Sequence, residues 1–174
     1  RDQPRSRGLG MPYPGGAALD KAAQQGDETK YHLPVSRPGE NPYDMSFSGL
    51  KTATLNLIHH AQQIGEELDV NSLCAAFTSA VSATLIPRVV LALEQTGYDK
   101  LAVAGGVAAN SRIRSDLLKI AQDRNIDVFM PPLSLCGDNA SMIGSQAYYE
   151  YLSGNIAGMD LNAYATKSIL GEQL

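Results

Sequence analysis

The chain has 174 residues, 44% of them hydrophobic, and a formal net charge of −4, which suffices for one packed core and not for two full domains. Its 14 Lys and Arg are interspersed with 18 Asp and Glu without a basic stripe, so the chain by itself does not grip a phosphate backbone. Cys74 and Cys136 lack the spacing of a disulfide framework or a zinc site, and no run approaches the roughly 20 apolar residues of a membrane helix; the expectation is a cytoplasmic chain with no membrane partner.

In chain order, residues 1–45 read as an irregular leading segment rich in Pro, Gly and charge. It holds a turn at Tyr13-Pro14-Gly15-Gly16, a short helix over Ala17–Gln25 and an extended piece over Tyr31–Val35. From Ser48 the apolar residues Leu50, Ala53, Leu57, Ile58, Ala61 and Ile64 recur at steps of three and four, predicting a helix that Ser48 caps and Gly65 ends. A longer helix is predicted from Asn71 to about Thr96, with Leu73, Phe77, Ala80, Val81, Leu85, Val89, Ala92 and Leu93 on one broad face, a kink at Pro87 and a stop at Gly97.

The period then changes. Leu101–Ala104 and Ile126–Met130 read as apolar strands around an amphipathic helix, Ser111–Arg124, and a last helix runs from Asp138 to Leu152. Strand, helix, strand at this spacing is a βαβ unit with parallel strands and a right-handed crossover, so the class is α/β. Two strands make a poor parallel sheet, and the expectation for 46–174 is a single incomplete α/β domain, part of a larger sheet.

Three local patterns bear on chemistry. Leu101 to Asn110 (LAVAGGVAAN) is a strand ending in a double glycine before an Asn that opens a helix. Glycines let a ligand approach the backbone and a helix start offers N–H groups to an anion, while a tight turn with Asn110 as an ordinary helix cap fits the residues equally. Cys136-Gly137-Asp138-Asn139-Ala140 places an acid at a helix start, where it either complements the helix dipole or ligates a metal or Mg-nucleotide; if it ligates, its loop should face the one holding Asn110. Pro14-Gly15-Gly16-Ala17-Ala18-Leu19-Asp20 sets an acid one turn after a glycine turn, suited to a ribose hydroxyl or to plain solvation.

Two other patterns are set aside. Ser48-Gly49-Leu50-Lys51 matches S-x-x-K, but its companion K-T-G is replaced by Lys51-Thr52-Ala53. His59 and His60 are helix neighbours about 100° apart, whereas shared ligation wants a spacing of four.

With these three patterns in the chain, and Asp44-Met45-Ser46-Phe47-Ser48-Gly49-Leu50-Lys51-Thr52 between the Pro14–Asp20 turn and the Leu101–Asn110 strand, the chain resembles the tRNA adenosine threonylcarbamoyltransferases over roughly residues 8 to 152. The family was once taken for glycoproteases, and neither a nucleophile–base pair nor HExxH supports proteolysis here. The resemblance implies an actin-like ATPase fold (the ASKHA class, two RNase-H-like lobes around a nucleotide cleft), of which this chain supplies most of the second lobe. It implies transfer of a threonylcarbamoyl group from threonylcarbamoyl-adenylate to the N6 amine of the adenosine beside the anticodon of ANN-decoding tRNAs. By position, Gly16 and Asp20 would contact the nucleotide, Asn110 would hold it, and Asp138 would ligate one divalent metal, iron or zinc. The implied partners are tRNA, an inactive paralogue and the ATPase subunits of the modification complex.

The family's His-x-x-x-His pair and Ser-Gly-Gly loop do not occur in this sequence. A lone carboxylate does not hold a catalytic metal, so the chain alone is expected to be catalytically silent and to self-associate. The alternative is a non-catalytic nucleotide-binding or dimerisation module like the inactive paralogue, for which a metal ligand at Asp138 would have little use.

Overall fold

The computed structural model describes residues 15–37 and 39–163. Tyr13, Pro14 and the charged start over 1–7 lie outside the described residues. The chain divides into two compact units, one ending at Gly137 and one beginning at Asp138.

In the first unit, helix α1 spans Gly15–Ala23, so both glycines of the expected turn sit in its first turn. Helix α2 spans Ser48–Ile64 and buries Leu50, Thr54, Ile58 and Ala61, a strip at steps of three and four. Phe47, not Ser48, stands at its N-cap, and no side chain caps the helix there; Ser48 is simply the first helical residue. Gly65, at φ 69°, ends it by donating its N–H to the Ala61 carbonyl, a left-handed cap that glycine adopts without a Cβ penalty.

Helix α3, Val70–Thr96, is the centre of the unit. Asp69 caps it by accepting the Ser72 N–H at 3.1 Å, and Gly97 closes it. All seven residues from Ser72 to Thr78 are buried, because α1, α2 and the later helix α4 (Ser111–Arg124) all pack on α3. The expected one-sided face therefore holds only in part: Leu85, Val89 and Ala92 stay half-buried, while Ser82, Thr84 and Arg88 are buried. Thr78 and Thr84 satisfy their hydroxyls on the carbonyls one turn back, at 2.9 Å each, which lets polar side chains enter a core. The helix runs on through Pro87.

By length and composition α3 could cross a membrane, with a mean hydropathy of 1.6 over its most apolar window. This corrects the sequence expectation that no stretch qualifies. Its apolar character reflects burial among neighbouring helices on several sides.

Two three-residue strands, β1 (Lys100–Ala102) and β2 (Asp127–Phe129), pair in parallel with Leu101 opposite Val128. The parallel pairing agrees with the βαβ expectation. Both strands are shorter than predicted, three residues each, and beyond β1 the backbone leaves the extended region at Gly105, φ 89°. Between them α4 buries Ile113 and Leu117 and ends at Asn125 in the left-handed conformation, φ 54°. The core gathers Leu50, Phe77 and Ala80, with Leu19, Leu33, Phe47 and Val81 packed around them.

The second unit contains helix α5, Ala140–Leu152, none of whose residues is buried. Asn139 caps it by accepting the Met142 N–H at 2.9 Å. The helix therefore starts two residues later than expected, with Asn139 at its N-cap.

Candidate ligand-binding site

Asp20 stands on α1 five residues from its start, on the side turned to α4. Its Oδ1 accepts three hydrogen bonds: from Asn110 Nδ2 at 2.9 Å, from the Ser111 backbone N–H at 3.1 Å and from Ser111 Oγ at 2.9 Å. Two of the residues singled out by the sequence, 90 positions apart, thus meet at the start of α4. A carboxylate there also complements the positive end of the helix dipole.

The Asn110 amide acts twice. Its Oδ1 accepts the Ile113 N–H at 3.0 Å and caps α4, while its Nδ2 donates to Asp20. The ordinary capping role is therefore realised, together with a tie to the other candidate residue. Gln24, one turn after Asp20, donates from Nε2 to Asp20 Oδ2 at 3.2 Å and to Ser111 Oγ at 3.1 Å. Sequence reasoning missed Gln24 and Ser111. The i, i+4 spacing of Asp20 and Gln24 on one helix face was the available signal for the first; Ser111 had none beyond following the cap.

The two glycines of the Gly105-Gly106 loop do different work. Gly105 needs its left-handed φ of 89°. At Gly106, as at Gly16, the backbone is not left-handed and an added Cβ would meet nothing within 4 Å, so no contact within the described chain requires glycine at either place. At both positions the backbone is open to an approaching group.

An open cleft begins at Asp20 and runs between α1, α3 and α4, lined by Asp20, Gln24, Thr78, Ser111, Arg112 and Ser115 among others. Hydroxyls, an amide and a carboxylate suit it to the hydroxyls of a sugar. The cation on its wall, Arg112, is already ion-paired with Glu28 and, at 2.8 Å, with Asp116, and Asp116 also accepts from the buried Ser82 hydroxyl. With two acids on one guanidinium, this wall is not a phosphate grip.

On the far side of the Gly-Gly loop, Arg114 joins three segments. Its Nη1 donates to the Ala108 carbonyl at 2.8 Å, and Nη1 and Nη2 both reach the Pro131 carbonyl at 3.3 Å. Nothing in the sequence marked this residue, since its partners are backbone atoms.

Asp138, the first residue of the second unit, is exposed. Among the described residues no group of three His, Cys, Asp or Glu could hold a metal ion, and one carboxylate does not supply a coordination sphere. The donors described here do not fit a metal by themselves. His59 and His60 are both exposed on α2.

In sequence the chain is similar to proteins of one family. The family model described as tRNA N6-adenosine threonylcarbamoyltransferase matches residues 4–145. Curated proteins of that name are similar along nearly the whole chain. The one from Streptococcus equi subsp. equi is 49% identical over 157 residues, 90% of this chain, and the one from Moorella thermoacetica 43% identical over 158, 91% of this chain. One from Clostridium botulinum is 40% identical over 158 residues. In each case the matched region is 46% of the relative, so the chain spans about half the length of the curated relatives it matches.

Proposed function

The chain belongs to the tRNA N6-adenosine threonylcarbamoyltransferase family, and on that premise we propose that it forms one wall of the site at which a threonylcarbamoyl-adenylate is held while its acyl group passes to the N6 amine of a tRNA adenosine. The fold proposed for the whole is actin-like, with this chain as most of the second lobe. The observation that carries the reading is the meeting of Asp20 and Asn110 at the start of α4.

In this role Asp20 accepts a hydrogen bond from a sugar hydroxyl on Oδ2, Asn110 offers the nucleotide the second hydrogen of its Nδ2 while it keeps its cap and its bond to Asp20, and Gly16 lets a flat ring approach the first turn of α1. The transfer joins the N6 nitrogen to the carbamoyl carbon, breaks the bond from that carbon to the phosphate oxygen and releases AMP, while the amine proton passes to a base. None of the residues described here is assigned as that base. Asp138 is proposed as one ligand of a divalent metal, iron or zinc, whose remaining ligands come from elsewhere.

Without those ligands and without a second wall to exclude water, the chain alone is proposed to be catalytically silent, to act with tRNA, the inactive paralogue and the ATPase subunits in the cytoplasm, and to self-associate when separated from them. The alternative reading, a nucleotide-binding or dimerisation module without catalysis, shares the Asp20–Asn110 site and differs in having no use for Asp138.

Calorimetric titration with ADP, with and without divalent metal, tests both. Saturable binding that Asp20→Ala and Asn110→Ala each weaken by about tenfold, as expected for losing a hydrogen bond to a charged or polar ligand group, supports the nucleotide wall. Binding indifferent to both substitutions refutes it. Metal dependence that disappears in Asp138→Ala supports the enzyme reading, and its absence in the unsubstituted chain supports the module.

A further inference from the structure

The Gly105–Asn110 loop carries the Asn110 amide, but the hydrogen bonds that Asn110 itself makes fix only its own end. The loop contains a 3-10 turn, Gly106–Ala109, and follows a strand of three residues whose outer faces are exposed. Such a loop needs an anchor on its other side if its ligand-facing amide is to keep one position.

Arg114 is placed to provide it. One turn into α4, its half-buried guanidinium spans from the Ala108 carbonyl, inside the loop, to the Pro131 carbonyl, just beyond β2. The same Nη1 lies 3.9 Å from Cys136 Sγ, and that thiol in turn lies 3.6 Å from the Pro132 carbonyl and 3.9 Å from the Pro131 carbonyl. Ala108 and Cys136 are buried at 2% and 4% exposure. A planar, permanently charged fork holds two carbonyls in one geometry, which an ammonium or an amide does less well.

We propose that Arg114 is a positioning residue: it clamps the Gly105–Asn110 loop to the Pro131–Cys136 segment and thereby sets where the Asn110 amide stands for its ligand. The last clause rests on the nucleotide-wall reading above; the clamp itself does not. The Cys136 thiol, shut under the guanidinium, is a built-in reporter of it. Cys74, on α3, is 1% exposed and its thiol is pushed up to about 11 by burial, so it reports opening of the core instead.

The experiment uses the full chain and a disulfide-exchange reagent that colours on reaction with a thiol. In the unsubstituted chain both cysteines react slowly. Arg114→Ala is expected to speed reaction at Cys136 by about tenfold, the scale of losing charge-assisted hydrogen bonds, with Cys74 still protected, and Arg114→Lys to give an intermediate rate. An unchanged rate at Cys136 overturns the clamp, and so does a parallel gain at both cysteines, which would make Arg114 a residue of the fold as a whole. If Arg114→Ala yields no folded chain, Arg114→Lys is read by the same criteria.

A second arm measures ADP affinity in Arg114→Ala, Asn110→Ala and the double variant. Arg114 acting through Asn110 predicts that Arg114→Ala weakens ADP by about tenfold in the parent and less than about twofold in the Asn110→Ala background; equal losses in both backgrounds overturn the positioning role. If the unsubstituted chain binds no ADP, the nucleotide-wall reading fails, and the thiol rates alone decide the clamp.

Discussion

Asp69 shows how a single cap ties stability to pH. Its carboxylate accepts the Lys30 ammonium at 2.9 Å, the Ser72 N–H at 3.1 Å and the Ser72 hydroxyl at 2.8 Å. These contacts, the lysine first, hold its carboxyl at about 2 against 3.8 for an unperturbed one. Because the folded value is the lower of the two, the stability it contributes is present above 3.8 and is lost as pH falls through the window down to about 2. Melting curves recorded from about pH 5 to about pH 2 should therefore fall less steeply in Asp69→Asn than in the parent. Equal slopes would mean that the Lys30 and Ser72 contacts do not persist in solution. At Gly16 the residue scale separates fold from function. A Cβ there meets nothing, so Gly16→Ala should leave stability unchanged or raise it by up to about 1 kcal/mol in urea titration, while ADP binding is lost if the nucleotide lies over this turn. Full ADP affinity in a stable Gly16→Ala chain would remove Gly16 from the site.

At the scale of elements, the site depends on how closely α1 lies on α3. The contact is made at Gly26, just past α1, where an added Cβ would sit 2.1 Å from the Asn71 carbonyl oxygen and 2.5 Å from the Ser72 nitrogen. Backbone atoms cannot move aside as a flexible side chain would. Gly26→Ala should therefore push α1 off α3, costing about 1–3 kcal/mol as overpacking does, and should weaken ADP binding, since Asp20 rides on α1. Unfolding curves for Gly26→Ala beside Gly16→Ala make the contrast direct: one glycine is required by packing and the other is not. A Gly26→Ala chain as stable as the parent would show that α1 and α3 are not in this contact. The element scale is also where sequence reasoning did best. The periodic runs located α2, α3 and α4 closely, because an amphipathic pattern and a glycine stop act within a few residues of each other. It did less well on where α2 and α5 begin: Phe47 holds the N-cap expected of Ser48, and α5 starts at Ala140 rather than at Asp138, since neighbouring residues at a helix end offer nearly equal local choices.

For the whole molecule, exposed apolar side chains stand out. In the second unit Tyr148, Tyr149, Tyr151 and Leu152 are each at least 60% exposed; in the first, Phe129 of β2 and Val107 beside the Gly-Gly loop are 58% and 57% exposed. Surface of this kind favours association. Sedimentation velocity over a concentration series should show mass rising with concentration, and a strict monomer at the highest concentration would count against self-association. Addition of a separately produced region equivalent to the rest of a relative should suppress it, if that region covers the same surface.

Much of this fold was legible without coordinates: the α/β class, the parallel pairing of β1 and β2 and the long central helix, while short motifs singled out Gly16, Asp20, Asn110 and Asp138 as candidates. Those features depend on neighbours in sequence or on periodicity, which the chain writes out directly. What only the tertiary structure decided was which of them touch. The pairing of Asp20 with Asn110 and Ser111 across 90 positions, the close approach at Gly26, the burial of Arg88 against the carbonyls of Ser36 and Asp44 and the reach of Arg114 to two loops all depend on helices brought together by burial. Hydrophobic packing is not directional, and carbonyl partners carry no side-chain signature, so neither leaves a local mark in the sequence.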